Sequence, residues 1–554
     1  MQSTMMRTPL NLCHFLERAG QRFGSVEIVS RMPDKSLHRS NYREFHRRAR
    51  LLAEALQRAG LRKGDRVGTL MWNHYAHFES YFGVIASGGV MHTLNLRLAP
   101  ADIGFIANHA QDRFLIVDDV LLPLFEQFKA LANIEQVIVV PLTGKPVPAG
   151  YIDYEAFIGA STGRWDYPES DENDPIAMCY TSGTTGRPKG VVYSHRSQVL
   201  HTLSQCLPDS IGLSGRDVIL PVVPMFHANA WGIPYAAAML GTKLVLPGPH
   251  LHPDDLLPLM ESEKVTVSCG VPTIWLGMAQ VLERNPGKWK LQPGIRMMVG
   301  GAAVPEALIR SFDRLGMTII QGWGMTETSP LATVAKPAHT QPDDLSADDR
   351  FATMATQGYA VPLVDLRIMG DDGEQPWDGK AVGEIQVRGP WITADYHDVE
   401  RSADSFTDDG WLRTGDVAAV GPLGFVKITD RTKDLIKSGG EWISSVDLEN
   451  AIMGHPAVAE AAVIAVPHPK WSERPLAVVV TKSGATVSSE ELRAFVATKF
   501  AKWAVPDAFI FVDAIPRTST GKFLKTRLRE QFRDWQWEPP LSNEALLMSV
   551  PLAR

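Results

Sequence analysis

A loop rich in glycine and hydroxyl side chains carries the clearest chemistry in this sequence. It reads Tyr-Thr-Ser-Gly-Thr-Thr-Gly-Arg-Pro-Lys-Gly over residues 180–190. Gly183 and Gly186 allow backbone conformations with positive φ, which bring N–H groups close to an anion. The serine and threonine hydroxyls add hydrogen-bond donors, and Lys189 adds a positive charge. This chemistry suits the β- and γ-phosphates of a nucleotide.

The loop differs from the phosphate loop of kinases and GTPases. In that loop the lysine follows glycine and precedes serine or threonine, whereas Lys189 lies between Pro188 and Gly190. Apolar runs at 176–179 and 191–193 predict a strand on each side of the loop. The alternative is a polar surface loop, but an eleven-residue string is far more specific than a bare glycine and serine cluster.

The string resembles the signature loop of the adenylate-forming (ANL) superfamily, which includes acyl-CoA synthetases, amino-acid-adenylating domains and firefly luciferase. The resemblance implies that the chain uses ATP and releases AMP and pyrophosphate. It also implies a set of ATP- or AMP-binding residues, which are Thr181, Ser182, Gly183, Thr184, Thr185, Gly186, Lys189, Gly301, Ala302, Gln321, Gly322, Trp323, Asp416 and Arg431.

A second motif, Gly-Trp-Gly-Met-Thr-Glu-Thr at 322–328, comes after a predicted buried strand. Glu327 offers an oxygen ligand suited to Mg²⁺ carried by nucleotide phosphates, and Trp323 offers a flat face to adenine. Taken alone, the motif could equally be a turn with a surface glutamate. The resemblance implies that Thr326 contacts phosphate as a catalytic residue and that Glu327, with Thr184, holds Mg²⁺.

Four further positions resemble the nucleotide and hinge residues of the family. The carboxylate of Asp416 could accept hydrogen bonds from two ribose hydroxyls, although an aspartate after a turn is often only a cap. By resemblance, Arg431 is a second contact to ribose or phosphate. Lys433 lies at the family's hinge position and Lys437 four residues later, and the resemblance implies that both belong to the catalytic set. Alternatively, both lysines could be ordinary solvent-exposed residues of a surface helix with no functional role.

The C-terminal part carries a predicted coenzyme A loop and a catalytic lysine. The stretch 438–444, Ser-Gly-Gly-Glu-Trp-Ile-Ser, resembles the family loop that meets CoA through Gly439, Gly440 and Trp442. Lys522 matches the family's catalytic lysine. A cation is needed where a carboxylate attacks the α-phosphorus, because two negative charges meet there.

The acyl substrate is expected to contact His227, Trp231, Gly300 and Gly324. His227 could also be an ordinary buried histidine. The surrounding run 220–248 resembles medium- and long-chain fatty acyl-CoA synthetases, and methylthiopropanoate–CoA ligases are similar across the same run.

The resemblance covers about residues 10–535. It implies an AMP-forming ligase that joins a medium- to long-chain fatty acid to CoA through an acyl-adenylate. A ligase for methylthiopropanoate or another short or aromatic acid is the main alternative. A luciferase-like oxygenase and a non-catalytic acyl-nucleotide binding module are two others. The second of these is disfavoured because Lys522, Glu327 and Asp416 are all present.

Composition and charge limit the partners and the cellular compartment that we expect for this protein. The chain has 554 residues, a net charge of −7 and four cysteines without metal-ligand spacing. The charge argues against a nucleic-acid partner, and the few cysteines fit a reducing cytoplasm. The most apolar region, 221–246, is interrupted by His227, Pro234 and Lys243, so we expect no transmembrane segment. We also expect no signal peptide in residues 1–20, and a homodimer remains open.

The elements that must position these residues alternate between helix and strand. Apolar residues at helical spacing predict a helix over 40–60, and later strands end in the glycine-rich strings. Ligands bind at the carboxyl ends of strands in such sheets. We predict an α/β fold with a large domain of two α/β sheets and a β-rich subdomain at 1–430, a hinge at 431–433, and a small, mobile α+β domain at 434–554.

Overall fold

A computed structural model describes residues 1, 3–164, 166–181, 187–337, 345–400, 403–438, 441–518 and 522–537. The described helices are α1 Cys13–Arg22, α2 Tyr42–Arg58, α3 Tyr75–Ala86, α4 Pro100–Ala110, α5 Leu122–Phe128, α6 Tyr154–Gly159, α7 His195–Cys206, α8 Ile233–Leu240, α9 Pro253–Glu263, α10 Pro272–Arg284, α11 Glu306–Arg314, α12 Ala347–Met354, α13 Ser445–Met453, α14 Ser489–Ala497 and α15 Lys525–Gln531. None of these helices is both long enough and apolar enough to cross a membrane.

The described strands are β1 Glu27–Arg31, β2 Leu37–Asn41, β3 Arg66–Leu70, β4 Val90–Thr93, β5 Asp112–Asp118, β6 Gln136–Val140, β7 Ile152–Asp153, β8 Pro175–Tyr180, β9 Gly190–Ser194, β10 Val218–Pro221, β11 Lys243–Leu246, β12 Val267–Gly270, β13 Arg296–Val299, β14 Thr318–Gly324, β15 Leu331–Val334, β16 Tyr359–Ala360, β17 Asp365–Gly370, β18 Gly373–Glu374, β19 Gly383–Arg388, β20 Leu412–Val420, β21 Val426–Arg431, β22 Ile436–Ser438, β23 Glu441–Ile443, β24 Val458–His468, β25 Ser472–Thr481 and β26 Ala508–Phe511.

Two large sheets are mainly parallel. The first has the strand order β16-β15-β14-β13-β12-β10-β11-β1-β2, and the pairs from β14 to β1 are parallel. The second has the order β7-β6-β5-β3-β4-β8-β9 and is parallel from β7 to β8. The strand that follows each motif runs antiparallel to its neighbour: β9, at the edge of the second sheet, pairs with β8, and β15, second from the edge of the first, pairs with β14.

Two smaller sheets complete the part of the chain that the structure describes. One has the order β18-β17-β19-β20-β21, with antiparallel pairing of β17, β18, β19 and β20. The other has the order β23-β22-β25-β24, with β26 parallel to β25. The chain divides into a larger compact unit, residues 1–428 with 518–522, and a smaller one, 429–517 with the residues from 523 onward. The hinge at 431–433 and the mobility of the small domain remain predictions.

The predicted helix over 40–60 is α2. The side chain of Asn41 accepts a hydrogen bond from the backbone of Glu44 and caps its first turn. A buried apolar face of α2 packs against α3. Gly83 permits this close approach, because a Cβ at that position would lie 2.9 Å from the carbonyl oxygen of Ala49 and 2.8 Å from Leu52 Cδ2.

The Trp323 motif differs from its predicted position after a strand. β14 continues through Gly324, so Gln321, Gly322 and Trp323 are themselves strand residues. The reason is long-range, because β15 returns antiparallel and pairs Gly322 with Val334. A local sequence pattern contains no sign of that partner.

A buried carboxylate joins α9 to one edge of the first sheet. The Glu263 side chain is 2% exposed, and it accepts hydrogen bonds from Arg39 (2.6 Å) and Lys243 (2.8 Å). Burial alone would raise the pKa of Glu263, but the bonds to Arg39 and Lys243 hold that pKa below its ordinary value. The ionised form therefore stabilises the fold.

We expect Glu263→Gln to lower the free energy of unfolding by about 2–4 kcal/mol at pH 7, because two cations lose their charged partner. A carboxyl with a lowered folded-state pKa contributes stability that is present above its unfolded pKa, about 4.3, and is lost as pH falls through the folded value. The difference in unfolding midpoint between wild type and variant should therefore stay nearly constant from pH 7 to about pH 5 and shrink as the pH falls below about 4.

The matched control is Glu44→Gln, which removes an exposed i,i+3 pair with Arg47. It should cost no more than about 0.5 kcal/mol. Equal shifts for the two variants would contradict the stabilising role of Glu263.

Candidate functional site

The predicted phosphate loop begins and ends on paired strands. β8 and β9 are antiparallel, and Tyr180 pairs with Gly190. The Thr181 amide donates to the Lys189 carbonyl at 2.9 Å, and the Lys189 amide donates to Thr181 Oγ1 at 3.1 Å. The predicted strand–loop–strand arrangement is present around the loop. The loop residues Ser182, Gly183, Thr184, Thr185 and Gly186 lie outside the described residues.

Tyr396 joins Lys189 to Glu327. Its hydroxyl donates to Glu327 Oε1 at 2.8 Å, and the Lys189 ammonium lies 4.5 Å from the centroid of its ring. The same ammonium is 3.5 Å from Ser405 Oγ. Burial, together with the neighbouring Glu327 carboxylate, raises the pKa of Tyr396 well above its ordinary value. A cation and a carboxylate are thus held on one aromatic side chain, a combination suited to phosphate and metal charge.

Neighbouring backbone groups are fixed as firmly as the side chain of Glu327. The hydroxyl of Tyr193 donates to the Thr326 carbonyl at 2.7 Å, and the Thr393 amide donates to the Glu327 carbonyl at 2.8 Å. Thr326 and Glu327 are both buried. Their side chains are therefore presented from a rigid backbone.

A hydrogen bond joins two residues that were predicted to contact adenine and ribose. Trp323 Nε1 donates to Asp416 Oδ2 at 2.8 Å, and both side chains are buried. Gln321 braces the same strand, because its Oε1 accepts from the Val304 amide at 3.2 Å. The indole and the carboxylate therefore have fixed orientations relative to each other.

Glycines permit close packing where the acyl group is expected. A Cβ on Gly300 would lie 3.2 Å from the Gly322 carbonyl oxygen and 3.3 Å from Trp231 Cη2. A Cβ on Gly324 would overlap the carbonyl oxygen of Pro330, at 1.6 Å. The nearby Ala302 is exposed. Gly300 and Trp231 thus lie against each other, as a shared acyl wall requires.

Trp231 lies in a left-handed turn. Ala228, Asn229, Ala230 and Trp231 all have φ between 42° and 57°, which is unfavourable for residues with a Cβ. Neighbouring contacts hold the turn, since Asn229 Oδ1 is 3.2 Å from the Sγ of Cys179. The apolar sequence of this turn gives no indication of its backbone conformation.

His227 is half-buried and neutral. The pKa of His227 is lowered to about 4, mainly by desolvation and to a smaller extent by the positive charges of Lys522 and Arg97. Residues 518–522 belong to the larger unit, and Lys522 Cε lies 3.9 Å from the point that a Cβ on Gly301 would occupy. The structure therefore brings together predicted residues of the acyl, nucleotide and catalytic sets.

The smaller unit holds the remaining predicted residues. The Arg431 amide donates to Asp430 Oδ1 at 2.8 Å, and Lys433 is exposed. Lys437 and Trp442 face each other across β22 and β23, with the ammonium 5.3 Å from the indole centroid. The CoA-loop residues Gly439 and Gly440 lie outside the described residues.

Sequence reasoning missed Tyr396, Tyr193 and Arg97. Tyr193 belongs to the apolar run after the loop, where it reads as a strand residue. Tyr396 lies in Asp-Tyr-His at 395–397, and Arg97 lies in Leu-Arg-Leu at 96–98. Neither string forms a recognisable motif, because Tyr396 and Arg97 each interact with a residue that is far away in the chain.

Comparison with known proteins gives full-length matches. The family model described as AMP-binding enzyme matches residues 16–397, and the model described as AMP-binding enzyme C-terminal domain matches residues 447–522. A long-chain-fatty-acid–CoA ligase of Thermus thermophilus is 49% identical over 96% of this chain and 97% of its own length.

Two further relatives are similar to nearly the same extent. A medium-chain-fatty-acid–CoA ligase of Ectopseudomonas oleovorans is 44% identical over 96% of this chain and 98% of its own. A 3-methylmercaptopropionyl-CoA ligase of Ruegeria pomeroyi is also 44% identical, over 96% and 99% of the two chains.

The fold also matches a solved structure. That structure is an anthranilate–CoA ligase in complex with anthranoyl-AMP, with a TM-score of 0.85, 24% identity, and coverage of 96% of this chain and 99% of the other. The predicted fold class is confirmed, with a large domain of several sheets and a smaller C-terminal domain.

We expect Tyr396→Phe to weaken nucleotide binding about tenfold, the equivalent of about 1.4 kcal/mol. The variant keeps the ring beside Lys189 but removes a hydrogen bond to the buried Glu327 carboxylate. Calorimetric titration with ATP measures the affinity. Tyr359→Phe is the control, because it removes a solvent-exposed bond to Asp209. Unchanged ATP affinity in Tyr396→Phe would remove Tyr396 from the site.

Proposed function

Because this chain belongs to the family of AMP-binding enzymes, we propose that it is a fatty-acid–CoA ligase. It converts ATP, a medium- to long-chain fatty acid and CoA to acyl-CoA, AMP and diphosphate through an acyl-adenylate. The observation that carries this proposal is the placement of Lys522 beside Gly301 and near His227. Fatty-acid–CoA ligases are also among its relatives at 44–49% identity.

The first half-reaction joins the two anions. A carboxylate oxygen of the acid attacks the α-phosphorus of ATP, and the bond to the bridging oxygen breaks, which releases pyrophosphate. Lys522 offsets the charge where the two anions meet. The phosphate loop, with Lys189 at its end, binds the β- and γ-phosphates. Asp416 binds the ribose, and Trp323 contacts the adenine.

Mg²⁺ would enter with the nucleotide. The buried Glu327 carboxylate is a hard oxygen ligand that suits this ion, and Thr184 is the second proposed protein ligand. Within the described ranges, no group of three or more His, Cys, Asp or Glu side chains is placed to hold a metal ion. When bound, Mg²⁺ would neutralise phosphate charge. Glu327 would hold the ion, and the hydrogen bond from Tyr396 would orient the Glu327 carboxylate.

The second half-reaction uses another part of the small domain. The CoA thiolate attacks the carbonyl carbon of the acyl-adenylate, and AMP leaves. We place the pantetheine arm along Gly439, Gly440 and Trp442, and we place the change between half-reactions at Lys433. Trp442 is 57% exposed, so its indole surface is accessible to a ligand.

The acid is held by His227, Trp231, Gly300 and Gly324. Methylthiopropanoate is the second candidate, because a relative with that type of substrate in its name is as similar as the medium-chain enzyme. We also place the enzyme in the cytoplasm, where the four free cysteines would stay reduced. A homodimer remains a prediction.

The experiment is a panel of acids from acetate to stearate plus methylthiopropanoate, with CoA-dependent AMP formation as the readout. The fatty-acid proposal expects the highest kcat/KM among medium or long chains. A maximum at methylthiopropanoate would replace it with the second candidate. Absence of AMP formation with every acid would contradict the ligase activity.

We expect Lys522→Ala to lose acyl-adenylate formation by about 10³-fold or more and to retain conversion of supplied acyl-AMP and CoA to acyl-CoA. The second reaction starts from a preformed anhydride and needs no cation at the α-phosphorus. Gly440→Leu should show the reverse, because its side chain would obstruct the thiol arm. Each half-reaction is measured separately, and Lys502→Ala, at an exposed lysine, is the control. Equal loss of both steps in both variants would favour one static site.

A further inference from the structure

The interior face of helix α7 is unexpectedly polar. Gln198, His201, Ser204 and Gln205 are each at most 4% exposed. Gln198, His201 and Gln205 follow the helical period and so lie on one face of the helix, with Ser204 beside His201. Buried polar side chains normally hydrogen-bond to protein or to ordered water.

Several atoms of this cluster have no partner in the part of the chain that the structure describes. They are both amide atoms of Gln198, Nδ1 of His201, Oγ of Ser204 and Oε1 of Gln205. Leaving one such buried atom unpaired is already unfavourable. Together the four side chains offer hydrogen bonds that the described part of the chain does not use.

The bonds that these side chains do make define the chemistry of the open positions. His201 Nε2 accepts from the Leu331 amide at 3.3 Å, so the neutral ring carries its proton on Nδ1 and that atom is a donor. Burial lowers the pKa of His201 to about 3, which keeps the ring neutral. Gln205 Nε2 donates to the Gly232 carbonyl at 3.2 Å, which leaves its Oε1 as an acceptor. A hydroxyl group, which donates and accepts, matches this set.

The cluster lies directly behind the proposed acyl wall. A Cβ on Gly232 would lie 3.0 Å from Gln205 Nε2 and also 3.0 Å from the Cε1 and Nδ1 atoms of His201. Gly232 follows Trp231, whose ring lies against Gly300. An acid that extends past Trp231 would therefore approach polar side chains instead of the apolar surface that an alkyl chain prefers.

We propose that Gln198, His201, Ser204 and Gln205 form a subsite for a hydroxyl oxygen on the far part of the acyl substrate. The enzyme would then prefer acids that are hydroxylated away from the carboxyl group over plain alkyl acids of equal length. This inference rests on the proposed ligase function. Buried water offers the same chemistry, and the experiment separates the two sources of the oxygen.

The test uses pairs of unsubstituted and ω-hydroxy acids of equal length, from four to twelve carbons. For wild type we expect kcat/KM to favour the hydroxy acid about tenfold or more at one or two lengths, because a site with unpaired polar atoms rejects the analogue that lacks the hydroxyl. Gln198→Leu should reduce that ratio towards one. This residue makes no hydrogen bond that the fold would lose. The matched control is Gln127→Leu at an exposed glutamine, which should keep the wild-type ratio.

Two results would overturn the proposal. One is equal use of both acids, or preference for the plain acid, at every length in wild type, which would assign the subsite to water alone. The other is an unchanged ratio in Gln198→Leu.

Calorimetric titration of the same acid pairs without ATP or CoA provides a separate readout. Tighter binding of the hydroxy acid by wild type, lost in Gln198→Leu, supports the subsite even if no acid yields AMP, a result that would contradict only the ligase function. Equal binding of each pair would count against the subsite itself.

Discussion

The buried carboxylate of Glu327 is the constraint around which the larger unit is arranged. A buried carboxylate is unfavourable unless it is hydrogen-bonded. Here Tyr396 donates a hydrogen bond to it, and the ring of Tyr396 also contacts Lys189. Glu327 follows a strand of the first sheet, Lys189 precedes a strand of the second, and Tyr396 lies between two strands of the antiparallel sheet. Three sheets must therefore have a fixed relative position before these charges can be buried together.

Features that depend on adjacent residues could be predicted from the sequence. The helix over 40–60 is predicted by its periodicity, and α14 begins with a capping interaction between near neighbours, in which Ser488 and Glu491 bond to each other's backbone. The strand–loop–strand arrangement at Lys189 followed from turn chemistry between two apolar runs. The same local information placed the family's motifs in order, and the comparisons confirm the family.

Features that depend on distant residues could not be predicted. Nothing near Tyr396 shows that its hydroxyl meets a carboxylate 69 positions away. The left-handed turn that ends at Trp231 contains no glycine before Gly232, so the sequence does not indicate its positive φ angles. Contacts with surrounding residues hold the turn in this conformation. The polar residues of α7 would be read from sequence as a solvated face, whereas the fold buries them. In each case tertiary packing overrides the local preference.

Desolvation also sets the charge of His227 at the proposed acyl site. A charged His227 would form a strong ion pair with the incoming carboxylate and would stabilise the ground state as well as the transition state, which lowers KM without raising kcat. Desolvation keeps His227 neutral above pH of about 4, near the cations Lys522 and Arg97. In the proposed reaction, positive charge is therefore supplied by Lys522 at the point where the carboxylate meets the α-phosphorus. In that proposal, the neutral imidazole would shape the channel without holding the anion back from attack.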